Sequence, residues 1–122
     1  MASGNVAIKY NLQGPNISIV SACSSAGHSI GYSARSILYG DADIMITGGS
    51  EAGITPLGLA GFNAAKALST NNENIQRASC PWDKKRDGFL LGEGAGILVL
   101  EELTSALNRD CLLYTSDAAD EP

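Results

Sequence analysis

The chain has 122 residues, of which 44% are hydrophobic and 17% charged, and its 13 Asp and Glu against 8 Lys and Arg give a net charge of −5. These values describe ordinary globular material amounting to one domain or a piece of one; they exclude a low-complexity chain and give no reason to expect nucleic acid or an anionic membrane as partner. No apolar run reaches the length of a membrane span, and residues 1–10 lack the basic start and continuous apolar core of a signal peptide.

In chain order, the pattern predicts a helix over 2–12 and then, after Gly14-Pro15, a strand over 16–22 in which β-branched and small polar residues alternate. A helix over 24–39 follows, with Ile30, Ala34, Ile37 and Leu38 at helical spacing and Gly40 placed to end it in a left-handed cap. Next come a strand over 43–49, a glycine-rich stretch with a short helix near 59–68, a loop over 71–87, a strand over 94–100 and a helix from about 102. Strand-helix-strand alternation argues for an α/β layer around a buried parallel sheet. There are no internal repeats.

Cys23 falls where the first strand runs out and a helix begins, within Val20-Ser-Ala-Cys23-Ser-Ser-Ala-Gly27. Unpaired N–H groups at a helix start and the positive end of its dipole favour a thiolate, the nucleophilic form of cysteine. The competing reading is a buried, inert thiol acting as a small hydrophobe. His28 is the single histidine. Five residues along a helix advance about 500°, which leaves Cys23 and His28 about 140° apart around the axis, so a packed or hydrogen-bonded histidine is expected rather than a catalytic dyad. Gly27 and Gly31 are expected to let this helix approach another backbone closely. Gly92-Glu-Gly-Ala-Gly96 runs into a strand rather than a helix, so a phosphate-binding loop is rejected and its glycines are expected to serve the start of that strand. Cys23 and Cys80, far apart and without CxxC spacing, suggest neither a disulfide framework nor zinc, and point to a reducing, cytoplasmic compartment.

The segment from Asn11 to Ile30 resembles the active-site block of the β-ketoacyl-(acyl-carrier-protein) synthases, the condensing enzymes of fatty-acid synthesis. Three further blocks, beginning Tyr39-Gly-Asp-Ala-Asp, Thr55-Pro-Leu-Gly-Leu and Pro81-Trp-Asp-Lys-Lys-Arg-Asp-Gly, follow in the order and spacing of that family. The likeness runs to about Asp110 and is nearest to the elongating type II group.

What the resemblance implies is a partial thiolase-like α/β fold, about one half-domain without its first two strands. In this fold the strand before the cysteine and the strand after its helix are not neighbours, and the strands that lie between them are expected to belong to an earlier part of a longer protein. It further implies Cys23 as the nucleophile that carries the acyl thioester, its backbone N–H as half of an oxyanion hole, Phe62 at the acyl pocket and Lys66 at the carrier-protein entrance. A core aromatic is the competing reading of Phe62. The family's two catalytic histidines and its lysine have no match here. Acyl carrier protein is the implied partner and a homodimer the implied assembly; no metal or cofactor is expected. Retention of Cys23 separates the chain from inactive chain-length-factor relatives. Cys80 stands where the family commonly has arginine. The only basic cluster, Lys84-Lys85-Arg86, reads as a solvated loop. A polyketide ketosynthase domain and a truncated, inactive product are the alternatives, and the isolated segment is expected to be unstable.

From Cys111 to Glu121 the family pattern breaks, and Cys111-Leu-Leu-Tyr-Thr-Ser-Asp-Ala-Ala-Asp-Glu121 resembles the translation of a transposon-end sequencing adapter. Residues 111–122 are therefore expected to be a non-native tail set apart from 1–110, a genuine acidic tail being the competing reading. Without Asp117, Asp120 and Glu121, ten acids face eight bases and the net charge is −2.

Overall fold

Each α-helix among the described residues ends in the same backbone device. The computed structural model describes residues 2–111, and of the tail expected at 111–122 all but Cys111 lie outside them. The helices are α1 (Ala2–Tyr10), α2 (Ser25–Leu38), α3 (Pro56–Ala64) and α4 (Leu103–Asn108). After each, one residue turns left-handed: Asn11 at φ 51°, Gly40 at 79°, Lys66 at 54° and Asp110 at 55°. The next amide reaches back five residues, as in Leu12 N–H to the Ala7 carbonyl at 2.9 Å, Asp41 to Ser36 at 2.9 Å, Ala67 to Phe62 at 3.1 Å and Cys111 to Ala106 at 3.0 Å. These are Schellman motifs, which satisfy carbonyls that a helix end leaves orphaned. The expected cap at Gly40 forms.

Helix starts are built from side chains. Thr55 Oγ1 accepts from Gly58 N–H at 3.0 Å ahead of Pro56 in the first turn of α3, and Glu102 Oε2 accepts from Ser105 N–H at 2.8 Å to open α4.

Two compact units divide the chain: residues 2–49 with 97–111, and residues 50–96. In the first, strands β1 (Ile44–Glu51) and β2 (Gly94–Glu101) form a two-stranded sheet to which residues through Gly49 and from Ile97 contribute. Glu102 N–H, just past the end of β2, donates to the Asp43 carbonyl, just ahead of β1, at 2.8 Å. The strands therefore run in opposite directions, which corrects the expected parallel pairing: the end of β2 meets the start of β1. A second correction concerns residues 16–22. They form no strand, because no neighbouring strand hydrogen-bonds to them among the described residues, and a ladder needs two edges.

The buried side of α2 is lined by small residues rather than by the predicted apolar stripe. Ser33 and Ser36 are buried and Ala26, Ser29, Ile30 and Ile37 half-buried, whereas Ala34 and Leu38 are exposed. Close approach explains the choice: a Cβ placed on Gly49 of β1 would lie 2.8 Å from Ala26 Cβ. Gly27 and Gly31 do not make the expected approach, since a Cβ on either meets nothing within 4 Å. They face away from the contact that their neighbour Ala26 makes.

In the second unit, Leu68 and Phe89 form an isolated parallel bridge, and Phe62 and Phe89 meet edge to face with ring centroids 5.2 Å apart and planes at 83°. Among the described residues only Ala78 and Ala106 are buried hydrophobic side chains, while Val20 is 89% exposed and Leu57 84%. No described helix is long and apolar enough to cross a membrane.

Candidate active site

Cys23 sits in a one-turn 3-10 segment, Ala22–Ser24, that leads directly into α2. Ala22 immediately before it is left-handed at φ 52°. An alanine gains nothing in that region and pays its steric cost, roughly 1–2 kcal/mol, so its presence marks a backbone that the surrounding bonds over-determine. Ser24 N–H donates to the Ser21 carbonyl at 3.2 Å, and Ser25 N–H to the Ala22 carbonyl. Ser25 Oγ donates to the same Ala22 carbonyl at 2.8 Å while accepting from Ser21 N–H at 2.9 Å. None of these turn-closing bonds uses the N–H of Cys23, and the Cys23 side chain is exposed.

His28 lies one turn further along α2, and its Nδ1 is 2.6 Å from Ser21 Oγ. The imidazole thus holds the residue two positions before the cysteine. Ser21, Ala22 and Ser25 were invisible as site residues in the sequence because serine and alanine are common around any helix start; the left-handed alanine has no compositional signal.

Phe62 and Lys66 belong to the second unit. Phe62, 42% exposed, projects from the last turn of α3 onto the ring of Phe89, and Lys66 is the exposed left-handed residue of the cap that follows. The structure brings these two to one end of one helix. Ala67 to Thr70, next in the chain, lie against residues 87–89. Phe89 N–H donates to the Ala67 carbonyl at 3.0 Å and Ser69 N–H to the Phe89 carbonyl at 3.1 Å. Asp87 accepts from Ser69 Oγ at 2.6 Å, Thr70 N–H at 2.8 Å and Thr70 Oγ1 at 3.1 Å. The Ser69 hydroxyl above all, with the Thr70 amide, holds the Asp87 carboxyl below its ordinary value. Gly88 between them, at φ 156°, passes so close that a Cβ would fall 2.4 Å from the Leu68 carbonyl carbon. Asp87 and Phe89 were not singled out by sequence, because their partners lie 17 to 27 residues away and no local spacing reports them.

In the basic loop, Asp83 organises the cations: its carboxylate accepts from Lys85 N–H at 2.7 Å, its carbonyl from Arg86 Nη1 at 3.0 Å, and Arg77 stands 3.7 Å off with its side chain 72% exposed. Exposed pairs of this kind contribute little. Cys80 is half-buried in the same turn, its carbonyl accepting from Asp83 N–H at 3.1 Å. Glu93, within the rejected phosphate loop, accepts from Ile54 N–H at 2.8 Å through Oε1, and a Cβ added to Gly92, Gly94 or Gly96 would meet nothing within 4 Å.

The elbow presents an exposed cysteine at a helix start, on an α/β framework that superposition on solved ketosynthases makes thiolase-like. Residues 1–106 match the Beta-ketoacyl synthase, N-terminal domain model, and the chain belongs to that family. It is 58% identical over 114 residues to the 3-oxoacyl-(acyl-carrier-protein) synthase 2 of Vibrio cholerae, covering 93% of this chain and 28% of that relative, and equally 58% identical, with the same coverage, to the synthase 2 of Coxiella burnetii. Among solved structures, a type II polyketide ketosynthase in complex with its acyl-carrier protein and bound to the hexaketide superimposes with a TM-score of 0.85 at 40% identity, over 91% of this chain and 28% of that one. The chain therefore spans little more than a quarter of the length of the relatives it matches.

Proposed function

We propose that this chain is the nucleophile-bearing part of an elongating β-ketoacyl-(acyl-carrier-protein) synthase. The sulfur of Cys23 attacks the carbonyl carbon of an acyl group held as a carrier thioester, and the carrier thiol leaves with a proton. In the second half-reaction a malonyl thioester loses carbon dioxide, its α-carbon attacks the Cys23 thioester, a carbon–carbon bond forms and the sulfur of Cys23 is released. The N–H of Cys23 supplies one donor to the oxyanion in both steps. The second donor, and the groups that stabilise the carbanion, come from outside residues 2–111.

Phe62 forms part of the wall against which the acyl chain lies, and Lys66 receives the acidic carrier protein. The working enzyme is a cytoplasmic homodimer that needs no metal or cofactor. The observation that carries the reading is the left-handed Ala22, which turns an exposed Cys23 onto the start of α2. A fatty-acid role is favoured by the 58% identity to synthases of that name; a polyketide role is the second reading, supported by the 40% identity to a polyketide ketosynthase.

The test is a complete enzyme: the Vibrio cholerae synthase with its matching 114-residue segment replaced by this chain's. Incubated with acyl-carrier protein bearing a saturated acyl group, it should gain one acyl mass on the peptide containing Cys23, and Cys23→Ala should gain none. An adduct elsewhere, or none in a folded chimera, overturns the proposal. Turnover of poly-β-keto chains in preference to saturated ones selects the polyketide reading.

A further inference from the structure

Asp87 is charged, lies in neither a helix nor a strand, and has no part in the chemistry above. Its carboxylate nevertheless collects three hydrogen bonds, from Ser69 Oγ, Thr70 N–H and Thr70 Oγ1. With the two backbone bonds of Phe89 to Ala67 and Ser69, they fasten residues 67–70 to residues 87–89. Gly88 lets the two backbones close to a distance at which no side chain fits. One end of this clasp carries the ring of Phe89, 5.2 Å from that of Phe62. The other end begins at Ala67, next to Lys66 in the cap of α3.

We infer that Asp87 is a positioning residue that sets acyl-chain selectivity, by tying the loop after α3 to the segment bearing Phe89 and so fixing where the Phe62 ring stands. The inference rests on the reading of Phe62 as acyl-pocket wall. Bonds to an ionised carboxylate are about twice as strong as neutral ones, and the three converge from one hydroxyl and both donors of Thr70, so the register between the two segments has one solution. With a neutral amide in place of the carboxylate, one acceptor oxygen is lost and an N–H₂ group faces either the Ser69 hydroxyl or the two donors of Thr70. The clasp then loosens at the end nearest Phe89, and the aromatic pair loses its fixed offset.

The chimeric synthase distinguishes the outcomes. Asp87→Asn and Phe62→Ala are each compared with the unsubstituted chimera across acyl-carrier substrates of short, medium and long chains, with the rate at which iodoacetamide alkylates Cys23 as a control. The expected result is a change in the ratio of kcat/KM between long and short chains of about tenfold for both variants, expressed mainly in KM. Alkylation of Cys23 should stay within about twofold. Ser69→Ala, which removes one of the three bonds, should move the ratio in the same direction by less, and Thr70→Ser should leave it unmoved. If Asp87→Asn does not fold, Ser69→Ala carries the comparison. A shifted ratio in Phe62→Ala with none in Asp87→Asn or Ser69→Ala overturns the inference and leaves the pocket reading intact. No shift in any of the three overturns both. An equal loss for all chain lengths together with slowed alkylation of Cys23 makes Asp87 a general stabiliser and also overturns the inference.

Discussion

Ala26, in the first turn of α2, and Gly49, near the end of β1, stand so close that a Cβ on the glycine would fall 2.8 Å from that of the alanine. The contact sets the height of the helix start above the strand, and the elbow that carries Cys23 is continuous with that start. Gly49→Ala therefore has to lift the first turn of α2 and Cys23 with it. In the chimeric enzyme, acyl transfer to Cys23 should slow by roughly 10- to 100-fold, because a displacement of about 1 Å at a reacting atom has that effect. Adding Ala26→Gly should restore most of the rate, and failure of the pair to recover would show that the contact does not set the position.

Lys66 combines a backbone role and a charge role that two substitutions separate. As the left-handed residue of a Schellman cap it carries a steric cost that glycine does not. Lys66→Gly should raise stability in denaturant by about 1 kcal/mol relative to Lys66→Ala. Both should raise KM for acyl-carrier protein alike, and the increase should shrink as salt is added. A rise in KM for one variant alone would detach the effect from the charge.

How much of this was legible in the sequence depends on whether the cause is local. The helix that follows Cys23, its cap at Gly40, and the strands now seen as β1 and β2 follow from patterns within a few residues, and they were readable to within two positions. The caps at Asn11, Lys66 and Asp110 were not, since glycine is the strongest local signal of a left-handed turn and none of the three is one. The segment 16–22 has a strand's composition but no partner, and pairing is a property of two segments. The antiparallel return of β2 was hidden for the same reason. Within the site, Cys23 was legible from its place at a helix start; the Ser21–His28 tether and the Asp87 clasp join residues 7 and 17 or 18 positions apart and leave no mark on either neighbourhood.

Acid should loosen the C-terminal turn of the described chain. Arg109 donates from Nε and Nη2 to both oxygens of Glu101, at 2.6 to 3.1 Å, and Ser105 Oγ donates at 3.0 Å. The Arg109 guanidinium holds the Glu101 carboxyl below its ordinary value of 4.5, and the carboxylate in turn raises Arg109. A depressed carboxyl contributes stability that is present in full above its unfolded value and is lost as pH falls through the folded one. Amide exchange in α4 of the chimera should therefore accelerate as pH drops below 4.5 relative to Glu101→Gln, after correction for intrinsic exchange, and be indistinguishable from its own plateau above that. An unchanged difference down to pH 2 would remove the pair from the account.

The chain taken alone should not unfold cooperatively. Two buried alanines are the whole buried apolar set among the described residues, and no side chain there is fully buried. Apolar burial on that scale cannot offset a backbone entropy of roughly 1–2 kcal/mol per ordered residue. Calorimetry of the isolated polypeptide should show no sharp transition, and a hydrophobic dye should bind it strongly. A single reversible transition from a monomer would contradict this.

Because β2 comes back to β1 only after the entire intervening unit, the sheet cannot form while the ribosome is still making that unit. The elbow, α2 and its cap involve neighbours in sequence, so they are able to fold as soon as they emerge, with closure of the long loop arriving late. The turn that presents the thiol can thus take shape while β2 is still unmade, and the bond from Glu102 to Asp43 is among the last to close.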